Sequence, residues 1–413
     1  MKQNRSEISP THRFLLYAVD HHHSTSRTIH ADIGGSLCVM AMVLALLLSH
    51  TASAASRVQD SATNLATELP VVKLDQTDPL ARTIAQFNDV RVVLVGETHT
   101  RYDHHLVQLE IFKQLHHASP RLALGVEWFQ QPYQRHLDAY IAGGISEEEM
   151  LHLTDYFERW RYDYRLYRPI MQYAREHQIP IIALNASREL TSALSKSGFD
   201  DLSDELKTQL PDSYDWSDKA YEDRLRRSYD AHPDYAGKFE DFLRGQLTWD
   251  ESMAERAAQY LQQNPETRML ILAGSGHIAY GSGIPNRIKR RIDVKQFSIL
   301  VSEDHLPISN NIADFLVLST EQSLQPVGLI GALLETENKR VVIKGFAHDS
   351  AVRDAGVEKG AVIVGVGDED VESFADFKLA IINKKPGDSI ELHYLESADE
   401  GSQDRKSVKL ELR

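Results

Sequence analysis

The stretch VVLVGETHTRYDHH, Val92 to His105, decides the fold. Val92 to Val95 are apolar without interruption and run into Gly96. A short apolar run closed by glycine reads as a strand buried on both faces. Immediately after it stand Glu97, His99, Asp103, His104 and His105, all able to titrate or to ligate a metal. In open α/β sheets, ligands sit beyond the carboxyl ends of the strands, so a buried strand that ends in such groups suggests a site. A solvated, histidine-rich loop is the bland reading.

The rest of the sequence repeats the pattern. RLALGVE (Arg121 to Glu127), IPIIALN (Ile179 to Asn185), RMLILAGSGH (Arg268 to His277) and QFSILV (Gln296 to Val301) are further apolar runs, separated by amphipathic helices. Val107, Ile111 and Leu115 recur at helical spacing after the first run, with Asp103 expected as the cap. Ser146 and Glu149 form a capping box. Buried strands alternating with helices predict an α/β domain over residues 81–320, with a mainly parallel sheet flanked by helices.

Parallel strands bring their carboxyl ends together, so the residues that follow them should converge. These are Glu97 and His99 after the first strand, Glu127 after the second, Asn185 after the third and His277 after the fourth. Two strands end in G-x-x-H, as GETH and GSGH. Glycine lets the backbone approach closely, and histidine supplies a ligand or an acid–base group near neutral pH. Glu97, His99, Glu127 and His277 are therefore the candidate catalytic residues, expected to face one cavity. His104 and His105 would point about 100° apart on a helix, which leaves one of them solvated. His116 and His117 read as surface residues.

Composition narrows the class. The chain has 413 residues and a formal net charge of -15, which argues against a nucleic-acid partner. Its one cysteine, Cys38, precedes the apolar run Val39 to Leu48, and Ala52-Ser53-Ala54 follows as a cleavage signal. This suits a leader with a signal peptide over 1–56 and an exported, periplasmic or membrane-associated protein. A short membrane anchor is the competing reading. Residues 57–80 read as a linker. A chain processed near Ala55 holds no cysteine, hence no disulfide or thiolate site.

YFERWRYDYRLYRPI, Tyr156 to Ile170, combines four Tyr, one Trp and four Arg. It reads either as an aromatic face packed on the domain or as the wall of a flat anionic ligand. With GETHTRYDHH, GVEWF, the Trp160–Tyr164–Tyr167–Pro169 stretch, IALN, QLTWDESMA and AGSGHIAYGSGIPNR, the span from Ala81 to Val301 resembles the ChaN-like haem-binding uptake proteins of the Tiki/TraB/erythromycin-esterase superfamily. The resemblance implies an exported haem-binding protein of iron uptake. Histidine or tyrosinate would serve as axial ligand, with His99, His277, Tyr164, Tyr167 and Tyr102 as candidates. Arg161, Arg165 and Arg168 would pair with propionates. The alternative is a hydrolase, an esterase or peptidase. In it His99, His277 and Glu97 hold a divalent metal, or the histidines and glutamates act directly on water.

From Gln325 to Arg413 the chain resembles a PDZ domain. The segments that carry this are PVGLIGALLE, Ser350-Ala351, Ala355-Gly356-Val357, GVGDEDV, FADFKLAI and KPGDSIEL. Gly360-Ala361 departs from the usual Gly-Asp. The resemblance implies capture of protein C-termini, with Leu329, Ile330, Gly331 and Ala332 as carboxylate loop and strand start, and Phe377 and Ile381 as pocket floor. A small packing domain is the bland reading. An outer-membrane or periplasmic protein and a second copy of the chain are the further partner classes left open.

Overall fold

The structure is a computed structural model, which describes residues 77–231, 237–302, 311–397 and 404–413. The predicted leader, with Cys38 and the cleavage signal, lies outside the described residues, as does most of the predicted linker.

Six strands form one sheet: β1 (Val92–Glu97), β2 (Leu122–Gln130), β3 (Ile181–Asn185), β4 (Arg268–Gly274), β5 (Gln296–Val301) and β6 (Phe315–Val317). Their order is β3-β2-β4-β1-β5-β6, and each neighbouring pair is parallel. β6 has no counterpart in the sequence reading, because three half-buried residues are too few to show a period.

Apolar side chains alternate between the two faces. Val93, Val95, Leu124, Val126, Leu270 and Leu272 belong to one core, and Val92, Leu94, Ala123, Met269, Ile271 and Ala273 to the other. Each valine, leucine, isoleucine or methionine among them contributes about 1.5–3 kcal/mol by leaving water. Both faces are covered, which is why these strands read as unbroken apolar runs.

The connections are helical. α1 (Leu80–Ile84) precedes β1, and α2 (Tyr102–Ala118) links β1 to β2. Between β2 and β3 lie α3 (Gln134–Ile141), α4 (Glu147–Leu153), α5 (Tyr156–Arg159) and α6 (Arg168–Glu176). Between β3 and β4 lie α7 (Arg188–Ser197), α8 (Asp204–Lys207), α9 (Lys219–Asp230) and α10 (Phe239–Gln263). α11 (Ile284–Arg291) leads to β5. The Ser146–Glu149 capping box forms as expected. The cap of α2 does not. Arg101 occupies that position, and Asp103 sits in the first turn, held by Arg101 and by the Ser319 hydroxyl.

A second, antiparallel sheet follows, built from β7 (Ala332–Glu337), β8 (Arg340–Phe346), β9 (Val362–Val366), β10 (Glu369–Asp370), β11 (Ser389–Leu395) and β12 (Lys406–Glu411). The order is β12-β11-β9-β8-β7, with β10 paired to β9. β7 is thus an edge strand. α12 (Ala351–Asp354) and α13 (Phe374–Ile381) complete this region. α13 serves two cores. Phe377 and Ile381 pack beneath its own sheet, while Ala375 joins the core that surrounds Tyr156 and Tyr164. His152 of α4 meets Asp376 of α13 at 2.7 Å, and the Thr336 hydroxyl of β7 donates to Glu158 of α5.

Candidate functional site

β1, β4 and β2 lie side by side, so their carboxyl ends bring Glu97, His99, Glu127 and His277 to one place. Glycines make the approach possible. A Cβ at Gly96 would fall 2.4 Å from Leu300 Cδ2 and 3.0 Å from the Ser275 backbone. One at Gly274 would fall 2.9 Å from His99 Cε1 and 3.6 Å from Glu127 Oε2. The first glycine of each G-x-x-H is therefore required by space.

Each histidine is backed by a carboxylate. His99 Nδ1 lies 2.6 Å from Glu97 Oε1, and His277 Nδ1 lies 2.6 Å from Asp250 Oδ1. Glu127 stands between them. Its Oε1 is 3.4 Å from His277 Nε2, and its Oε2 accepts a 2.7 Å hydrogen bond from the Gly274 amide. Asn185 joins by donating from Nδ2 to the Glu127 carbonyl. Glu97 Oε2 and Asn185 Oδ1 are buried and accept no hydrogen bond among the described residues. Orphaned acceptors of this kind call for a donor from water or a ligand.

The electrostatics follow from this packing. Burial works against charge on His277, but Glu127 and Asp250 outweigh it and hold the imidazole well above its ordinary value of 6.5. Burial also opposes charge on Glu127, yet His277, helped by His99 and the Gly274 amide, pulls its carboxyl down to about 2. At His99 burial is again opposed, and Glu97 raises the imidazole above its ordinary value.

The aromatic stretch divides between the surroundings of His99 and the core of the domain. Trp160 and Tyr162 flank the His99 ring, with ring centres 4.9 Å and 4.8 Å away. Arg161 between them has φ +70°, and this left-handed turn lets both neighbours reach one ring. Tyr156, Tyr164 and Tyr167 are core residues instead. The Tyr164 hydroxyl donates to Glu147, which also pairs with Arg168 at 2.8 Å, so both residues are engaged away from His99. Tyr167 packs against Trp128 and His105. Burial pushes the Tyr164 and Tyr167 phenols well above 10, which disfavours tyrosinate ligation by either. Tyr102 is half-buried at the start of α2. Arg165 is paired with Asp163, whereas Arg161 is exposed and its partner among the described residues is Glu158, through the carbonyl at 3.2 Å and the carboxylate at 3.8 Å.

His104 and His105 are both buried, against the expectation that one is solvated. The first turn of α2 is enclosed on more than one side. His104 Nδ1 accepts from the Thr98 amide on one side, and His105 reaches the His99 carbonyl and Gln108 on another. Together they fix the loop that carries His99. His116 is half-buried and bonded to the Tyr173 hydroxyl, and His117 is exposed. Among the described residues no group of three or more His, Cys, Asp or Glu side chains is placed to hold a metal.

Asp250 is the site residue that strand-end reasoning misses, because it comes from the middle of α10. The available signal was TWDES itself: an aspartate inside a helix is unfavourable and asks for a reason.

In the C-terminal region Gly331 has φ +71°, and a Cβ there would fall 2.5 Å from the Asp349 carbonyl oxygen. Leu329 is half-exposed, but its amide donates to the Arg413 carbonyl, so it is no carboxylate donor. Ile330, Phe377 and Ile381 are buried, and Ala332 begins the edge strand β7.

Residues 83–288 match the family described as "Haem-binding uptake, Tiki superfamily, ChaN". No curated protein matches the sequence. Among solved structures, ChaN of Campylobacter jejuni, described by its cofacial haem binding, is 18% identical, covering 59% of this chain and 92% of that one with a TM-score of 0.46. The type III effector HopBA1 is 12% identical over 58% and 92%, with a TM-score of 0.34. The peptide-bound PDZ domain of a carboxy-terminal protease from Vibrio cholerae is 20% identical over 21% and 93%, with a TM-score of 0.19. By the family match, residues 83–288 form a ChaN-like domain of the Tiki superfamily.

Proposed function

We propose that the α/β domain binds haem at the carboxyl edge of its sheet, with His99 as the iron ligand. The observation that carries this is the 2.6 Å contact between His99 Nδ1 and Glu97. A carboxylate on one ring nitrogen fixes the tautomer and orientation and leaves Nε2 as the ligating atom. Trp160 and Tyr162 supply an aromatic wall beside that ring, and exposed Arg161 between them suits a propionate. Haem is cargo in this reading, and export would place the protein where iron is acquired.

A second reading rests on a different observation. Two carboxylate-backed histidines flank one buried glutamate, an arrangement that suits acid–base hydrolysis without a metal. Titrating the full chain with ferric haem tests the first reading, which expects a shifted Soret band at stoichiometric haem. Ester or peptide hydrolysis that requires His99 and His277, with no Soret shift, would replace it with the second.

For the C-terminal region we infer a PDZ-like role in which a peptide adds to β7 and its carboxylate meets the amides of Ile330, Gly331 and Ala332. The position of β7 at the end of the sheet among the described residues and the left-handed Gly331 support it. Phe377 and Ile381 would shape the pocket from beneath.

A further inference from the structure

α9 reaches the loop around His277 by two routes. The first runs through Asp250. The Tyr221 hydroxyl donates to Asp250 Oδ2 at 2.6 Å, while Asp250 Oδ1 meets His277 Nδ1 at 2.6 Å. Tyr221 is buried, with its ring packed by the guanidinium of Arg287 at 4.3 Å and of Arg224 at 5.4 Å. The second route runs through the backbone. Arg224 donates from Nη1 to the Gly276 carbonyl at 2.6 Å and from Nη2 to the Ser282 hydroxyl at 2.9 Å. Those two residues bracket His277.

The loop needs such a clamp. Tyr280 sits at φ +64°, a conformation that side-chain-bearing residues adopt only when their surroundings impose it. Gly283 leaves a Cβ no room, since it would fall 2.4 Å from the His277 carbonyl oxygen and 3.2 Å from Asp250 Oδ2. Tyr221 and Arg224 are three apart on one helix and so share a face. A tyrosine that merely fills a core satisfies its hydroxyl on any nearby acceptor. Here the acceptor is the carboxylate that orients His277, and a second residue of the same helix face grips the same loop.

We propose that Tyr221 and Arg224 are positioning residues for His277, Tyr221 through Asp250 and Arg224 through the backbone of the loop. This deepens the reading that His277 belongs to the functional site. The charged and titratable groups facing His277 are Asp250 from α10, Glu127 from β2 and His99 from the loop after β1. With Nδ1 held by Asp250, Nε2 is kept toward Glu127. Losing either clamp frees the ring to turn.

Nitrogen-15 NMR of histidine-labelled full chain reads this directly, with neither haem nor substrate present, so it can fail or succeed independently of the haem reading. Asp250→Asn identifies the His277 Nδ1–H signal. In Tyr221→Phe and in Arg224→Gln that proton should exchange with water about tenfold faster or more, the scale of losing one hydrogen bond to a charged or backbone partner. The buried His105 should be unchanged. His277 exchange within about twofold of the parent in both variants would overturn the proposal. Equal acceleration at His105 would also overturn it, because it marks general loosening of the fold.

Discussion

Gly274 and His99 are packed so closely that a methyl group on the glycine would lie 2.9 Å from Cε1 of the imidazole and 3.3 Å from Nε2. The end of β4 thus sets where the His99 ring can sit, and Glu97 sets which way it faces.

Gly274→Ala should push the ring off its Glu97 contact. Overpacking of this kind costs about 1–3 kcal/mol, which denaturant unfolding would register. Haem affinity should fall with it. Unchanged stability together with unchanged haem affinity would show that the approach is not tight.

The Glu127–His277 pair predicts a pH window for stability. His277 is raised above its ordinary 6.5, so its contribution is complete below that value and is lost as pH rises through the higher folded value. Glu127 is lowered from 4.5 to about 2, so its contribution is complete above 4.5 and is lost as pH falls toward 2. The pair should contribute most between 4.5 and 6.5. Thermal melting of the parent against Glu127→Gln across pH should show the largest difference there. A difference independent of pH would contradict the pairing.

The strands and the strand-end groups were legible because both faces of the sheet are covered and because parallel strands share a carboxyl edge. Glu97, His99, Glu127 and His277 follow from that rule alone. Asp250, Tyr221 and Arg224 come from helices and obey no strand-end rule, so a one-dimensional reading could not place them at His277. Tyr164 and Arg168 stand in the same aromatic stretch as Trp160 and Tyr162, yet they meet Glu147, while the left-handed turn at Arg161 brings Trp160 and Tyr162 onto the His99 ring. Composition carries no trace of such a turn. The burial of both His104 and His105 was equally hidden, since it depends on what encloses the helix start.

Glu251 holds three arginines. Its oxygens lie 3.2 Å from Arg287 Nε, 2.7 Å from Arg290 Nη2 and 2.7 Å from Arg291 Nη1, and Arg287 is fully buried. Glu251→Gln leaves a buried cation uncompensated and should cost about 3–5 kcal/mol in chemical unfolding. A cost under about 1 kcal/mol would mean that water reaches Arg287.

The peptide proposal for the C-terminal region has its own test. Peptides ending in an aliphatic residue should bind the full chain weakly as free acids and at least tenfold more weakly as amides, since the loop amides answer a carboxylate. Gly331→Ala should abolish the difference, because φ +71° and the Asp349 carbonyl leave no place for a side chain. Equal affinity for both peptide forms would exclude carboxylate capture.

His99 is the residue proposed to hold the haem iron. The most direct test of this is the absorption spectrum of ferric haem bound to the full chain, compared with His99→Ala and Glu97→Gln. The parent should show a shifted Soret band, His99→Ala a spectrum resembling unligated haem, and imidazole added to His99→Ala should restore the band. Glu97→Gln should keep the band with weakened affinity. A parent-like spectrum in His99→Ala without imidazole would contradict it.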